Sequence, residues 1–399
     1  MLHGIGGSGH HLAFMRMFAQ ALLSLGHRVW VIMPETVEVE YWVKEHCTID
    51  QKRFLAFPWQ EVSSLVNPHL GRFENAFATL KKWRQINRKI KQLEKQQAVN
   101  VDLVFFTWLD SYLANYLHPS ILDRFFRYAW SGLYFHPRHM RLYPETLGKH
   151  PSTSDIDIAL TSARCTSIAI HDEGIVQASA QRLDKSVILF PEIADISPPA
   201  LDYAPALEVK QRAKGRLVVG MIGQERRKGT LTLLRLAKIA PSHEFYFVFA
   251  GKVYLESFSG EENEEIQSFM SASVENCYWY QDYVPEGAPF NALLCSFDVP
   301  FIVYNEFPSS SNILTKSAYF HRFVLSSERF CIGEDVKRYS LGLTVEEGNV
   351  VACLEALQKL KKKLINQEYP DTSALQYTRL HSVNTLQQKF SEALSLLTH

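Results

Sequence analysis

The stretch LVVGMIGQERRKGTLTLLRLAKI, residues 217–239, followed by FYFVFAG at 245–251, decides how the chain is read. Residues 217–222 are uncharged and mostly β-branched or long apolar, the composition of a strand buried on both faces. A polar loop, Gly223-Gln224-Glu225-Arg226-Arg227-Lys228-Gly229, follows it. Leu231, Leu234 and Lys238 then recur at helical steps, with Leu233 and Leu236 beside them, and a second apolar run begins at Phe245. Strand, loop, helix and strand in this order form one βαβ unit of a parallel sheet.

Working outward, the same plan repeats. Later strands are expected at 277–280, 299–303, 323–325 and 343–345, with helices at 262–271, 290–295, 312–320 and 350–364 and a last long helix over 372–397. Before residue 195 the pattern predicts a helix from Leu12 to Leu25 closed by Gly26, and strands at 28–33, 101–107, 128–135, 156–160, 168–170 and 187–190. Only Met1 to Ile5 precede the first glycines, fewer than the ~5–6 residues of an ordinary strand with its turn. Strand one is therefore very short, or the recorded start lies inside the natural one. Between 196 and 214 the pattern lapses into Ser197-Pro198-Pro199 and Pro205, read as a linker. The expected fold is α/β, with two doubly wound Rossmann-like domains facing each other across a cleft. These are 1–195 and 215–370, joined by a linker at 196–214, with a C-terminal helix at 371–399 packing back on the first domain. Ligands are expected at the carboxyl ends of the strands.

The chain has 399 residues, with 42 Lys+Arg against 42 Asp+Glu, so the formal charge is zero. That balance argues against a general nucleic-acid binder. At 46% hydrophobic and 21% charged it can bury a large core and is not of disordered composition. The six cysteines include no C-x-x-C pair, so they suggest neither a zinc site nor a disulfide framework. With no leader pattern and no long uncharged apolar run, a soluble, cytoplasmic protein is expected.

Three loops carry residue types suited to anionic ligands. Gly6, Gly7, Ser8, Gly9 and His10 stand at the start of the first helix, where glycines let backbone approach a ligand; a tight turn without a ligand has the same sequence. Gly223, Gln224, Arg226, Arg227 and Lys228 combine cations with a helix start, which suits a diphosphate or equally a solvated turn. Ser309, Ser310, Ser311 and Asn312 open another helix. One of them could be an N-cap, but a run of four small polar residues also lets a phosphate dock, with Glu306 at the loop mouth and Lys316 one turn inside. Asp110, after the strand 101–107, could face a second substrate or cap a helix. None of the histidines stands in a metal-binding spacing, so no metal and no cofactor are expected.

Taken in order, these segments resemble the GT-B glycosyltransferases, in particular the large retaining nucleotide-sugar family that carries an E-x(7)-E motif (family 4). The matching pieces are Gly6 to Gly9 with its helix and the Gly26-His27-Arg28-Val29 strand entry, Gly223 with Lys228-Gly229, Phe247 to Gly251, Glu306 to Leu325, and Gly342-Leu343 before Glu347-Gly348-Asn349. The resemblance implies transfer of a sugar from a nucleotide-diphosphate sugar to a hydroxyl acceptor (a glycan, a lipid-linked saccharide or a small molecule), with retention and without a metal. It implies that Gly6, Gly7, Ser8 and Gly9 lie by the diphosphate and acceptor, that Lys228 binds diphosphate, and that His136 touches the donor sugar. Two departures mark a divergent branch. Gln224 stands where the family has an Arg, so Arg226 or Arg227 would substitute, and the two motif glutamates align with Pro308 and Lys316, leaving Glu306 two residues from the first. Because Lys316 cannot accept hydrogen bonds as a carboxylate does, a nucleotide-sugar hydrolase or epimerase and a non-catalytic sugar-nucleotide-binding or glycan-binding protein stand as alternatives.

Between Lys81 and Lys95 seven cations surround a single acid, Glu94, while Trp83, Ile86, Ile90 and Leu93 recur at helical steps. Such a basic amphipathic helix could meet anionic lipid as a peripheral contact, or pack on the sheet with a solvated outer face.

Overall fold

A computed structural model describes residues 1–6, 9–47, 51–61, 71–272, 274–370 and 372–398. The chain divides into two compact units: Met1–Ile193 with Ser382–His399, and Ala194–His381.

In the first unit the elements run β1 (Leu2–His3), α1 (Gly9–Ser24), β2 (Val29–Met33), α2 (Val37–His46), β3 (Phe54–Pro58), α3 (Arg72–Gln97), β4 (Val104–Phe106), α4 (Pro119–Phe125), β5 (Trp130–Leu133), α5 (Arg138–Leu142), β6 (Cys165–Ile170), α6 (Val176–Leu183) and β7 (Val187–Leu189). The sheet order is β3-β2-β1-β4-β5-β6-β7, and every pairing is parallel. Although β1 has only two residues, Leu2 pairs with Val31 on one side and Phe105 on the other, which places it centrally. Side chains alternate between the faces, as strand geometry requires. Trp30, Ile32 and Phe106 meet Trp83, Ile86 and Ile90 of α3, while Val31 and Phe105 lie in a second core with Met15 and Phe18 of α1.

The second unit begins with α7 (Ala204–Ala213) and continues through β8 (Leu217–Gln224), α8 (Thr230–Ile239), β9 (Phe245–Val253), α9 (Gly260–Ser271), β10 (Cys277–Tyr280), α10 (Ala288–Cys295), β11 (Val299–Ile302), α11 (Asn312–Tyr319), β12 (Val324–Ser327), α12 (Phe330–Arg338), β13 (Gly342–Val345), α13 (Val350–Ile365) and α14 (Thr372–Leu380). Its sheet order is β10-β9-β8-β11-β12-β13, again all parallel. Val218, Ile222 and Val248 pack to one side, and Val219, Met221 and Phe249 to the other.

Three expectations are corrected. Residues 204–213 of the expected linker are helical, because Pro205 sits in the first turn, where a missing N–H costs nothing. The run 156–160 is not a strand: Ile158–Thr161 is a 3-10 turn, and Asp157 before it is wholly buried against Arg182 and His139. The last helix is two. Ser382 caps a new one, α15 (Val383–Ser395), by accepting the Thr385 N–H; α14 packs on α11, and α15 packs on α1 through Phe390 and Phe18.

Candidate functional site

The carboxyl edge of the second unit's sheet gathers the residues expected on the donor side, all but Lys316. At the end of β8, Gly223 takes φ +84°, a conformation open to glycine, and Lys228 folds back over it to donate to the Ile222 carbonyl at 3.2 Å. Burial pushes the Lys228 pKa down. The three consecutive cations separate. Arg226 pairs with Glu262 at 3.0 Å, while Arg227 pairs with Glu225 at 3.0 Å and lies over the Phe307 ring. Among the described residues Lys228 alone of the three carries no ion pair. Gly229 fixes the loop against the end of β11, since a Cβ there would lie 2.1 Å from the Val303 carbonyl oxygen.

Gln224, at the position of the family's Arg, is fully buried, and its amide donates to the Gly251 carbonyl at 2.7 Å. Among the described residues its side-chain oxygen has no partner. The same holds for two other buried atoms at this edge, Ser309 Oγ after β11 and Glu347 Oε1 after β13. Unsatisfied buried polar atoms are costly, and three on one edge mark a place built for something polar.

Around the serine loop, Glu306 is exposed and holds φ +44°, unusual for a residue with a side chain, and its N–H donates to Glu347 Oε2 at 2.8 Å. Ser311 occupies the N-cap of α11 without making a side-chain cap bond; its hydroxyl serves Tyr304 instead. The N-cap explanation of the serine run therefore fails for the residue best placed to satisfy it. Lys316 sits elsewhere. Its ammonium is fully buried, donates to Asn291 Oδ1 at 2.8 Å, lies 3.8 Å from Glu286 Oε2 and covers the Phe290 ring. Burial lowers its pKa. Asn291 in turn donates to the carbonyls of Asp195 and Ser197, so Lys316 ties α11 to α10 and the start of this unit. These partners replace the phosphate contact expected of it.

In the first unit, Gly6 is described, Gly7 and Ser8 lie outside the described residues, and Gly9 and His10 are described only as the backbone that opens α1. Asp110 neither caps a helix nor offers a free carboxylate. Its two oxygens accept the N–H groups of Phe135 and His136, each at 2.8 Å, where β5 ends. His136 is thereby fixed with Nδ1 3.6 Å from Asp110 and its ring partly exposed. Trp108 stacks on Phe135 with centroids 4.3 Å apart.

Sequence reasoning missed two buried histidines at this edge. His3 ends β1 and shares the Tyr112 hydroxyl with Glu61. His171 follows β6, with Nδ1 3.1 Å from the Phe190 carbonyl and Nε2 3.7 Å from Glu192. Their placement at strand carboxyl ends was the available signal. Among the described residues no three His, Cys, Asp or Glu side chains group closely enough to hold a metal ion, and no helix is long and apolar enough to cross a membrane.

No protein-family model and no curated protein sequence matches the chain. Solved structures do. Sucrose-phosphate synthase from Thermosynechococcus elongatus superposes with a TM-score of 0.67 at 13% identity, over 100% of this chain and 98% of that one. Anabaena HepE in complex with UDP-glucose gives a TM-score of 0.63 at 13% identity, over 99% and 98%. A glycosyltransferase from Rickettsia africae gives a TM-score of 0.63 at 13% identity, over 99% and 98%. With the two parallel sheets, these likenesses show the fold to be GT-B. At such identities they speak for the fold alone.

Proposed function

We propose that the chain is a glycosyltransferase that takes a sugar from a nucleotide-diphosphate sugar and passes it to a hydroxyl acceptor. The observation that carries the reading is the edge formed by Gly223, Lys228 and the N-termini of α8 and α11, where, among the described residues, an ammonium without an ion pair lies among buried polar atoms without partners. Cations and helix N-termini together suit a diphosphate. HepE, of the same fold, was solved with UDP-glucose.

In the proposed reaction the bond from the anomeric carbon to the diphosphate oxygen breaks while the acceptor oxygen bonds to that carbon, and the acceptor's proton leaves with the diphosphate or to water. Negative charge grows on the departing oxygen. Lys228 and the N-termini of α8 and α11 are assigned to stabilise it, which would let the step proceed without a metal. Gly223, Gln224, Ser309, Ser310, Ser311 and Asn312 shape the donor pocket, and Arg226 and Arg227 brace it through their carboxylate partners. Glu306, two residues from the place of the first motif glutamate, and His136 are assigned catalytic roles beside the donor sugar. Retention follows from the family resemblance, and the Gly6 to His10 loop is assigned to the acceptor side. A glycan, a lipid-linked saccharide or a small molecule would each supply the hydroxyl.

The test is nucleotide release from UDP-glucose and other nucleotide sugars, with and without added acceptors. Release only with acceptor supports transfer. Release without one assigns the chain to hydrolysis, and binding without release to a non-catalytic role.

A further inference from the structure

The outer face of α3 carries a pattern that the donor chemistry does not use. At ~100° per residue, Phe73, Phe77, Lys81, Arg84, Arg88 and Lys95 fall within an arc of about 80°, opposite the buried Trp83, Ile86 and Ile90. All six are exposed, Phe73 by 71% and Phe77 by 66%. The four cations form no ion pair among the described residues. The helix's two acids are engaged locally: Glu74 accepts the Gly71 N–H, and Glu94 accepts the Val101 N–H and the Tyr128 hydroxyl. Phe73 stacks on Tyr116 at 4.3 Å, and Arg84 lies over Phe125 at 4.6 Å, so the aromatic surface continues onto the neighbouring segments.

A solvated helix face would interleave acids with its bases and would not hold two phenyl rings in water. The geometry points to an anionic lipid bilayer as the partner of this face. Phe73 and Phe77 enter the acyl boundary, and Lys81, Arg84, Arg88 and Lys95 lie along the headgroups over about 21 Å of helix. Cations alone would fit any polyanion; the paired exposed rings at one end select a surface with an apolar interior. The inference does not depend on the glycosyltransferase reading, because it is tested by binding alone.

The test is sedimentation of the full chain with vesicles of phosphatidylcholine, alone or mixed with phosphatidylglycerol, at low and high salt. Binding is expected only to the mixed vesicles, weakening with salt and by about fivefold for each of Lys81, Arg84, Arg88 and Lys95 changed to Gln. Phe73→Ser with Phe77→Ser is expected to lose more than about tenfold. The melting temperatures of all these variants, whose changed side chains face solvent, show whether folding is intact. Equal binding to pure phosphatidylcholine, no effect of the Phe pair in a folded variant, or binding to heparin or duplex DNA without binding to mixed vesicles would each overturn the inference.

Discussion

Gly223 and Lys228 are locked together: a Cβ built on Gly223 would lie 2.4 Å from Lys228 Nζ. Gly223→Ala therefore does two things. It places a side chain at φ +84°, at a cost of roughly 1–2 kcal/mol, and it drives the ammonium from its seat. The expected outcome is a modest fall in melting temperature with about a tenfold rise in the dissociation constant for a nucleotide diphosphate, read by calorimetry. Unchanged affinity would remove the Lys228 position from the donor site.

Lys228 should also show in the pH dependence of binding. Burial lowers its pKa, so it gives up its proton at lower pH than a free lysine, and only the charged form draws a phosphate oxygen. Donor affinity should decline as pH rises through that lowered value. A bound diphosphate favours the ammonium and pulls the pKa back up, so binding at alkaline pH should take up a proton. Calorimetry in buffers of different ionisation enthalpy measures that uptake, and Lys228→Arg should abolish it.

For Lys316 the resemblance and the structure give opposite forecasts. If the position served the nucleotide, restoring a carboxylate with Lys316→Glu would improve donor binding. Instead it would replace the cation that stands 3.8 Å from Glu286 with a buried anion on the same side and remove the donor to Asn291. A loss of about 3–5 kcal/mol in folding free energy is expected. Lys316→Met leaves Asn291 Oδ1 without its donor but adds no charge, and should cost only about 1–3 kcal/mol. Denaturant unfolding of both variants decides the order.

Asp110 is predicted to act on stability and on His136 together. Asp110→Ala strands the N–H groups of Phe135 and His136, at about 1–3 kcal/mol for each one left without water. Asp110→Asn keeps one acceptor and should lose less. If His136 meets the donor sugar, both variants lower turnover more than they raise the donor KM; a purely structural role would move only the melting temperature.

Much of the fold was legible because buried parallel strands write themselves as uninterrupted apolar runs. Residues 217–222 and 245–250 are strands as read, within β8 and β9. Short or half-buried elements were not legible. The strand β3 has no fully buried residue, and α12 interleaves Glu334, Asp335, Lys337 and Arg338 with its apolar positions. At the site, glycine and lysine spacing pointed to the Gly223–Lys228 loop. What spacing could not show is where a long side chain turns: Lys316, one turn into α11, points to Asn291 and Glu286, and Asp110 turns back to hold the end of β5.

On the proposed reading the second unit holds a nucleotide-diphosphate sugar through Lys228, and its sugar leaves for an acceptor. The most direct measurement titrates UDP-glucose and a panel of nucleotide diphosphates into the wild type and Lys228→Ala, then follows nucleotide release with and without acceptor. Saturable wild-type binding, weakened at least about tenfold in the folded variant, with release that requires an acceptor, is the predicted result. Equal binding by both proteins, or no binding of any nucleotide diphosphate, would contradict it.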